Sequence, residues 1–168
     1  GDEWEDSDKR IRNLHRIQGA VKNMVQLLDD ILTINRAETG KLEFNPKQLD
    51  LETLCHHFIE EIQLSAGNQY TLRFTCQVIA TPVYLDEKLV RSILSHLLSN
   101  AIKYSPQGGN IHLNLEFRQN AVILQIQDWG IGISSDDQKQ LFEPFYRGKN
   151  VRNISGTGLG LVVVKKCV

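Results

Sequence analysis

His96, Asn100 and Lys103 stand four and three residues apart, so a helix would carry all three on one face. That row of imidazole, carboxamide and ammonium suits a metal–phosphate ligand. An Asn oxygen can ligate Mg²⁺, a hard cation that also keeps waters and phosphate oxygens. Lys103 can neutralise a phosphate as a point charge. A second segment, Asp128-Trp129-Gly130-Ile131-Gly132-Ile133, directly follows an alternating apolar stretch. An aspartate at a strand end can accept a hydrogen bond from a ligand donor such as an adenine amino group. Glycines beside it let the backbone approach a flat ring closely. A third segment, Gly156-Thr157-Gly158-Leu159-Gly160-Leu161, opens an apolar run, and backbone N–H groups at a glycine-rich helix start bind phosphate well. Arg147, Lys149 and Arg152 lie just before it, in a loop that could close over a polyphosphate. The third segment is not a dinucleotide fingerprint, because a polar loop precedes it instead of a strand, and it is not a P-loop, because no Gly-Lys-Ser/Thr follows. Taken singly, each segment also fits an ordinary element: a solvated helix face, a strand-ending turn, a hinge.

The elements that must position these residues are legible in the periodicity. Asp8 to Glu38 reads as one long helix. Ile11, Gln18, Val25 and Leu32 recur every seven residues, Leu14, Val21 and Leu28 form a second line, and Ile17, Met24 and Ile31 widen the stripe. A stripe of that width suits a helical bundle, with Gly40 as the helix stop. The expectation is that the stripe packs against a second chain, the alternative being that it folds back on the rest of this one. Lys41 to Pro46 reads as an extended link. Leu51 to Leu64 reads as an amphipathic helix. Thr71 to Val78 and Pro82 to Leu85 read as strands. Asp86 can cap a helix over Glu87 to Tyr104, which carries the His96 row. Ile111 to Phe117 and Ala121 to Gln127 alternate as a hairpin. Ser135 to Leu141 reads as a short helix, Gly148 to Ser155 as a polar flexible loop, and Leu159 to Val168 as a further helix. Helices and strands in mixed order favour an α+β sandwich over a doubly wound sheet.

Composition bounds the function classes. The chain has 168 residues, 41% hydrophobic and 23% charged, with 19 basic against 20 acidic side chains. These values suit a folded domain with an arm rather than a disordered chain, and the near-neutral balance argues against nucleic acid as a partner. No apolar run is long enough to span a membrane. Cys55, Cys76 and Cys167 are odd in number and scattered, so neither a disulfide framework nor a zinc spacing is present. A reducing, cytoplasmic setting is the expectation.

In order along the chain, the His96–Tyr104, Asp128–Gly132, Phe142–Arg147 and Gly156–Gly160 segments resemble the N box, first glycine box, F box and second glycine box of sensor histidine kinases. The upstream Arg36-Ala37-Glu38-Thr39-Gly40-Lys41-Leu42 resembles the end of the second helix of that family's dimerisation and phosphotransfer bundle. The resemblance implies a Bergerat-type two-layer α/β sandwich, a mixed sheet covered by helices on one face, preceded by a long bundle helix. Residues 1–40 would be part of the bundle and 41–168 an ATP-binding catalytic domain lacking its C-terminal strands. It implies ATP and Mg²⁺ as cofactors. Asp128 would bind the adenine amino group, with Gly130, Gly132 and Ile133 lining the base pocket and Tyr104 covering the ring. Asn100 would hold Mg²⁺, Lys103 would reach the phosphates, and His96 would complete the catalytic row. Gly156, Thr157, Gly158, Leu159 and Gly160 would end an ATP lid anchored by Phe142, Phe145 and Arg147. Phosphate would pass from ATP to a histidine, then to an aspartate of a response regulator receiver domain, within a homodimer built on the N-terminal helix.

Two departures bear on that expectation. The first N-box position, often Asn in the family, is His96. The family's acceptor pattern, a histidine and an acid followed by Leu-Arg-Thr-Pro, matches none of His15, His56, His57, His96 or His112. The chain is therefore expected to bind ATP without phosphorylating itself in cis. Two other readings stand beside this one. One is a mechanical ATPase of the same superfamily, which would need a glutamate base on the N-box helix. The other is a dimerisation scaffold that has lost nucleotide binding.

Overall fold

The carboxylate of Asp86 starts the helix on which the domain is organised. In the computed structural model, which describes residues 2–77, 83–119, 121–151 and 154–168, and side chains from residue 8 onward, this is α3 (Glu87–Lys103). Asp86 accepts from the Lys88 and Leu89 amides at 2.9 and 3.3 Å, a side-chain cap for orphan helix donors. Its second oxygen accepts from the Asn45 amide at 2.9 Å, so the same carboxylate ties down the incoming link. Burial pushes the Asp86 carboxyl up, but the amides of Asn45, Leu89 and Lys88 outweigh it and hold the group below its usual range.

One side of α3 is apolar at helical spacing, with Val90, Leu94, Leu98 and Ala101 buried. The helix α2 (Leu51–Ala66) buries Leu51, Leu54, Cys55 and Ile59 in the same way. Both cover one face of a mixed sheet made of β2 (Tyr70–Gln77), β4 (Gly109–Arg118) and β5 (Ala121–Asp128), in the order β2-β4-β5. The β2–β4 pair is parallel and the β4–β5 pair antiparallel. Period-two alternation turns Ile111, Leu113 and Leu115 of β4 fully inward. The opposite sheet face is polar, as where Thr75 meets His112 and Asn114 at 3.0 and 2.8 Å. Tyr70, at the start of β2, donates its hydroxyl to the Ser105 carbonyl at 3.0 Å. This fixes the chain where α3 ends. Burial pushes the Cys55 thiol up to about 12, so it behaves as a core residue rather than a nucleophile.

Three elements depart from the sequence reading. The link before Asp50 holds a short strand, β1 (Lys47–Leu49), antiparallel to β3 (Val83–Leu85). Three residues paired with a distant segment leave no periodic signal. The helix expected over Ser135 to Leu141 stops early, as α4 (Ser135–Gln138). Beyond it the backbone makes i to i+3 bonds, Gln140 to Asp137 and Glu143 to Gln140, both 3.0 Å, and Pro144 disfavours a helical Glu143. The loop expected over Gly148 to Ser155 contains a 3₁₀ turn, Lys149–Val151, and buries Val151. The expected positions Val78, Pro82, Asn120 and Arg152 lie outside the described residues.

The long helix α1 (Asp2–Glu38) ends as expected. Gly40 takes φ +68°, the Gly40 amide reaches the Ala37 carbonyl at 3.3 Å, and the Lys41 amide reaches that of Arg36 at 2.7 Å. That pair of bonds is the Schellman pattern, which needs a left-handed residue. The apolar stripe from Ile11 to Leu32 stays 43–64% exposed. Another side of the same helix rests on α5 (Gly160–Cys167), where Lys166 meets Glu38 at 3.5 Å. Both arrangements considered from sequence are thus present in part: the helix leans back on the domain, yet its stripe is left uncovered by this chain. Among the described residues, no helix is long and apolar enough to cross a membrane.

Candidate functional site

The polar segments meet at the C-terminal half of α3. The first glycine box is tied there through the backbone, with the Ile131 amide donating to the Tyr104 carbonyl at 2.9 Å. The Gly130 amide donates to Asp128 Oδ1 at 2.9 Å, which bends the chain as it leaves β5. A Cβ on Gly130 would run into the Tyr104 carbonyl oxygen and come within 2.7 Å of Ser105 Oγ. Glycine is therefore required by the crossing of two backbones. Asp128 is exposed, and Ile133 is half exposed.

The second glycine box lies across the polar face of α3. A Cβ on Gly156 would strike Lys103 Nζ and lie 3.8 Å from the Tyr104 hydroxyl. Lys103 Nζ itself sits 4.9 Å from the Tyr104 ring centroid. A Cβ on Gly160 would lie 3.1 Å from His96 Nδ1 and 3.9 Å from Asn100 Nδ2. The structure thus brings His96, Asn100, Lys103 and Tyr104 against Gly156 and Gly160. The helix α5 starts at Gly160 with no side-chain cap from Leu159, so its first amides have no capping side chain. Among the described residues Thr157 supports only the local turn, its Oγ1 accepting from the Leu159 amide at 3.3 Å. Gly158, at φ +74°, packs on the backbone of Phe145. The Phe145 amide donates to the Gly158 carbonyl at 3.1 Å.

The F-box side chains do less packing than expected. Phe145 is 65% exposed and holds the lid through its backbone, in a left-handed conformation at φ 64°. Phe142 is half exposed, with Lys165 Nζ 5.2 Å from its ring centroid. Arg147 is turned to the lid's own backbone. Its Nη2 donates to the carbonyls of Val151, at 2.8 Å, and Ile154. That guanidinium shapes the loop that was expected to close over phosphates. The groove between α2 and α3, lined by Phe58, Glu61, Ser95 and Ser99, shares only Lys103 with this site.

Three residues not singled out from sequence belong here. Ser105 Oγ is buried without a hydrogen-bond partner among the described residues, beside Gly130. Asp30, on α1, is buried and reaches His96 Nε2 at 3.0 Å. Asp137 is buried and joins α4 to the F box, accepting from the Tyr146 hydroxyl at 2.6 Å and the Ser134 hydroxyl at 2.8 Å. The Asp137 amide donates back to Ser134 Oγ at 3.1 Å. Asn150 donates to the Gly132 carbonyl at 3.2 Å, linking lid and first glycine box. Of the three, only Asp137 left a sequence signal: Ser134-x-x-Asp137 is a capping pattern.

The Tyr146 and Ser134 hydroxyls hold the Asp137 carboxyl below its usual range, and the same bond pushes the Tyr146 phenol up. A carboxylate whose folded pKa is depressed contributes stability above its unfolded pKa and loses it as pH falls through the folded value. Asp137→Asn should therefore destabilise the chain at neutral pH and flatten the fall in stability below pH about 4, the ordinary carboxylate range. Urea unfolding followed from pH 7 downward checks this. An unchanged acid limb would contradict it.

Comparison with known proteins places the chain in a family. The sequence profile of the family described as histidine kinase-, DNA gyrase B-, and HSP90-like ATPase matches residues 85–168, and the chain belongs to that family. Sensor histidine kinase WalK of Bacillus subtilis is 28% identical over 171 residues, covering 98% of this chain and 28% of that protein. Adaptive-response sensory kinase SasA of Thermosynechococcus vestitus is 32% identical over 160 residues, covering 94% of this chain and 42% of that protein. The chain spans less than half the length of these curated relatives. Among solved structures, Acinetobacter baumannii histidine kinase AdeS superposes with a TM-score of 0.72 at 28% identity, over 92% of this chain and 71% of that one. The resemblance to sensor histidine kinases is borne out, and so is the α+β fold with its long N-terminal helix.

Proposed function

We propose that the chain binds ATP with Mg²⁺ at the C-terminal half of α3 and is the phosphoryl-donating part of a sensor histidine kinase. The observation that carries this reading is the convergence of both glycine boxes on α3. Gly156 rests on Lys103 and Gly160 on His96 and Asn100, while Gly130 is wedged against Tyr104. The residues present fit the ligand. Asn100 offers a carboxamide oxygen where, among the described residues, no cluster of His, Cys, Asp or Glu could hold a metal alone. A cation held there would need phosphate oxygens and waters as well, the habit of Mg²⁺. The orphan hydroxyl of Ser105 supplies a buried polar partner beside the first glycine box.

In this reading Asp128 accepts the adenine amino group, with Gly130, Gly132 and Ile133 beside the base and Tyr104 against its ring. Bound Mg²⁺ supplies charge neutralisation on the phosphates. Asn100 orients that charge and Lys103 adds a second positive group. Gly156 to Gly160 present backbone amides, and Arg147, Phe142 and Phe145 shape the lid that excludes water. Phosphoryl transfer of this kind depends on positioning and charge neutralisation more than on covalent chemistry by the protein. The N-terminal helix, residues 1–40, is read as half of a homodimeric bundle, its uncovered stripe facing a second copy. Residues 41–168 are read as the catalytic domain. The acceptor histidine and the receiver domain of a response regulator are partners in this reading.

Thermal unfolding with and without ATP and Mg²⁺ tests it, because a ligand of the folded state raises stability by mass action. A rise that needs both ATP and a divalent ion is expected. No rise at millimolar ATP would overturn the reading and favour a scaffold. The chain incubated with radiolabelled ATP should acquire no stable label on its own histidines.

A further inference from the structure

Asp30 is the one buried residue among the described side chains of α1. The helix leaves its apolar stripe in solvent and buries a carboxylate instead. Burying a charge is costly unless it is paired and hydrogen-bonded, so the partners of Asp30 carry information. Gln26, one turn earlier, donates to Oδ1 at 2.8 Å. His96 Nε2 lies 3.0 Å from the same oxygen, with the two side chains 12% and 5% exposed. A carboxylate only accepts, so Nε2 must carry a proton. In the neutral ring the lone pair then falls on Nδ1. That nitrogen faces the end of the second glycine box, 3.1 Å from where a Cβ on Gly160 would stand.

We propose that Asp30 is a positioning residue for the nucleotide site: from the long helix it fixes the orientation and tautomer of His96, and through His96 the place of Gly160. The first N-box side chain is then held by the neighbouring helix, with Nε2 engaged and Nδ1 turned to the lid. Any movement of α1 along or about its axis that withdraws Asp30 releases the ring. By linkage, if this contact favours nucleotide binding, bound nucleotide strengthens the seating of α1 by the same factor. The consequence for affinity rests on the nucleotide reading above. The consequence for the imidazole does not.

The experiment is ¹⁵N spectroscopy of the histidine rings in the full chain without nucleotide, followed by titration with ATP and Mg²⁺. In the unsubstituted chain the neutral His96 ring should show a protonated Nε2 and an unprotonated Nδ1. Asp30→Asn keeps an acceptor oxygen and should keep that tautomer. Asp30→Ala should lose it, giving the mixed spectrum of a solvent ring. Asp30→Ala should also weaken ATP binding about tenfold, within the usual range of coupling between sites, and Asp30→Asn by less. In a His96→Ala background, Asp30→Ala should change affinity no further. An Nδ1-protonated ring in the unsubstituted chain, or a ring unchanged by Asp30→Ala, would overturn the positioning role. So would a full loss from Asp30→Ala in the His96→Ala background. A chain that shows the expected ring but binds no ATP would instead count against the nucleotide reading alone.

Discussion

Asp128→Ala is expected to abolish the stabilisation of this chain by ATP. At free ligand about one hundred times its dissociation constant, binding raises stability by about 2.7 kcal/mol. For a chain of this size that is a rise of about 5–10 °C in the unfolding midpoint. Asp128 sits at the end of β5, exposed, with one carboxylate oxygen already holding the Gly130 amide. Among the described residues the other oxygen has no partner, which leaves it as the acceptor beside the glycine box. Removing both oxygens takes away the adenine contact and the local turn at once. Asp128→Asn is the sharper control, since an amide oxygen can keep the Gly130 bond. It should leave the midpoint without ligand unchanged and still cost most of the ATP-dependent rise. Asn100→Ala should likewise abolish the rise, because the rise needs the divalent ion as well as ATP. Differential scanning fluorimetry with ATP, with and without Mg²⁺, reads all three. A full rise in Asp128→Ala would contradict the assignment of the base site.

Leu98→Ala is expected to give the largest loss of stability, about 2–5 kcal/mol, the usual cost of an unfilled buried leucine site. Leu98 is fully buried on the inner side of α3, in the same cluster as Leu94, Ile111 and Leu113. It is two residues from His96 and two from Asn100. The inner face of this helix packs on the sheet while the outer face presents the polar row, so one element sets both the core and the site. A chain with about 5–15 kcal/mol in total would lose a large share. Ser99→Ala, next to it but exposed, should stay within about 0.5 kcal/mol. Urea unfolding of both variants checks this. Equal effects would mean that α3 does not anchor the core.

The residues that could be read from sequence were those whose role is local. The spacing of Val90, Leu94, Leu98 and Ala101 announced the buried face of α3. Asp86 announced its cap, Gly40 the end of α1, and the alternation of Ile111, Leu113 and Leu115 the inward face of β4. The glycine boxes were legible because glycine at such spacing is a strong local constraint. What failed to show were contacts made across the chain. The β1–β3 pair joins three residues to a strand about 35 positions away, with a pattern too short to detect. Asp30 looked like any surface acid on an amphipathic helix, and only the packing of α1 on α5 turns it toward His96. Ser105 owes its place to the backbone of Gly130, which lies against its hydroxyl. Resemblance places Phe145 and Arg147 in the lid. Their action through backbone geometry and lid carbonyls could not be read from residue type.

One nucleotide site should form where both glycine boxes meet α3. Amide chemical-shift mapping of the uniformly ¹⁵N-labelled chain, titrated with ATP and Mg²⁺, tests it most directly. Saturable shifts are expected, centred on three stretches, 96–105, 128–133 and 145–161, with the polar outer face of the sheet at Thr75 and Asn114 unmoved. Saturable shifts centred elsewhere, in the groove between α2 and α3 around Phe58 and Ser95 for example, would contradict it.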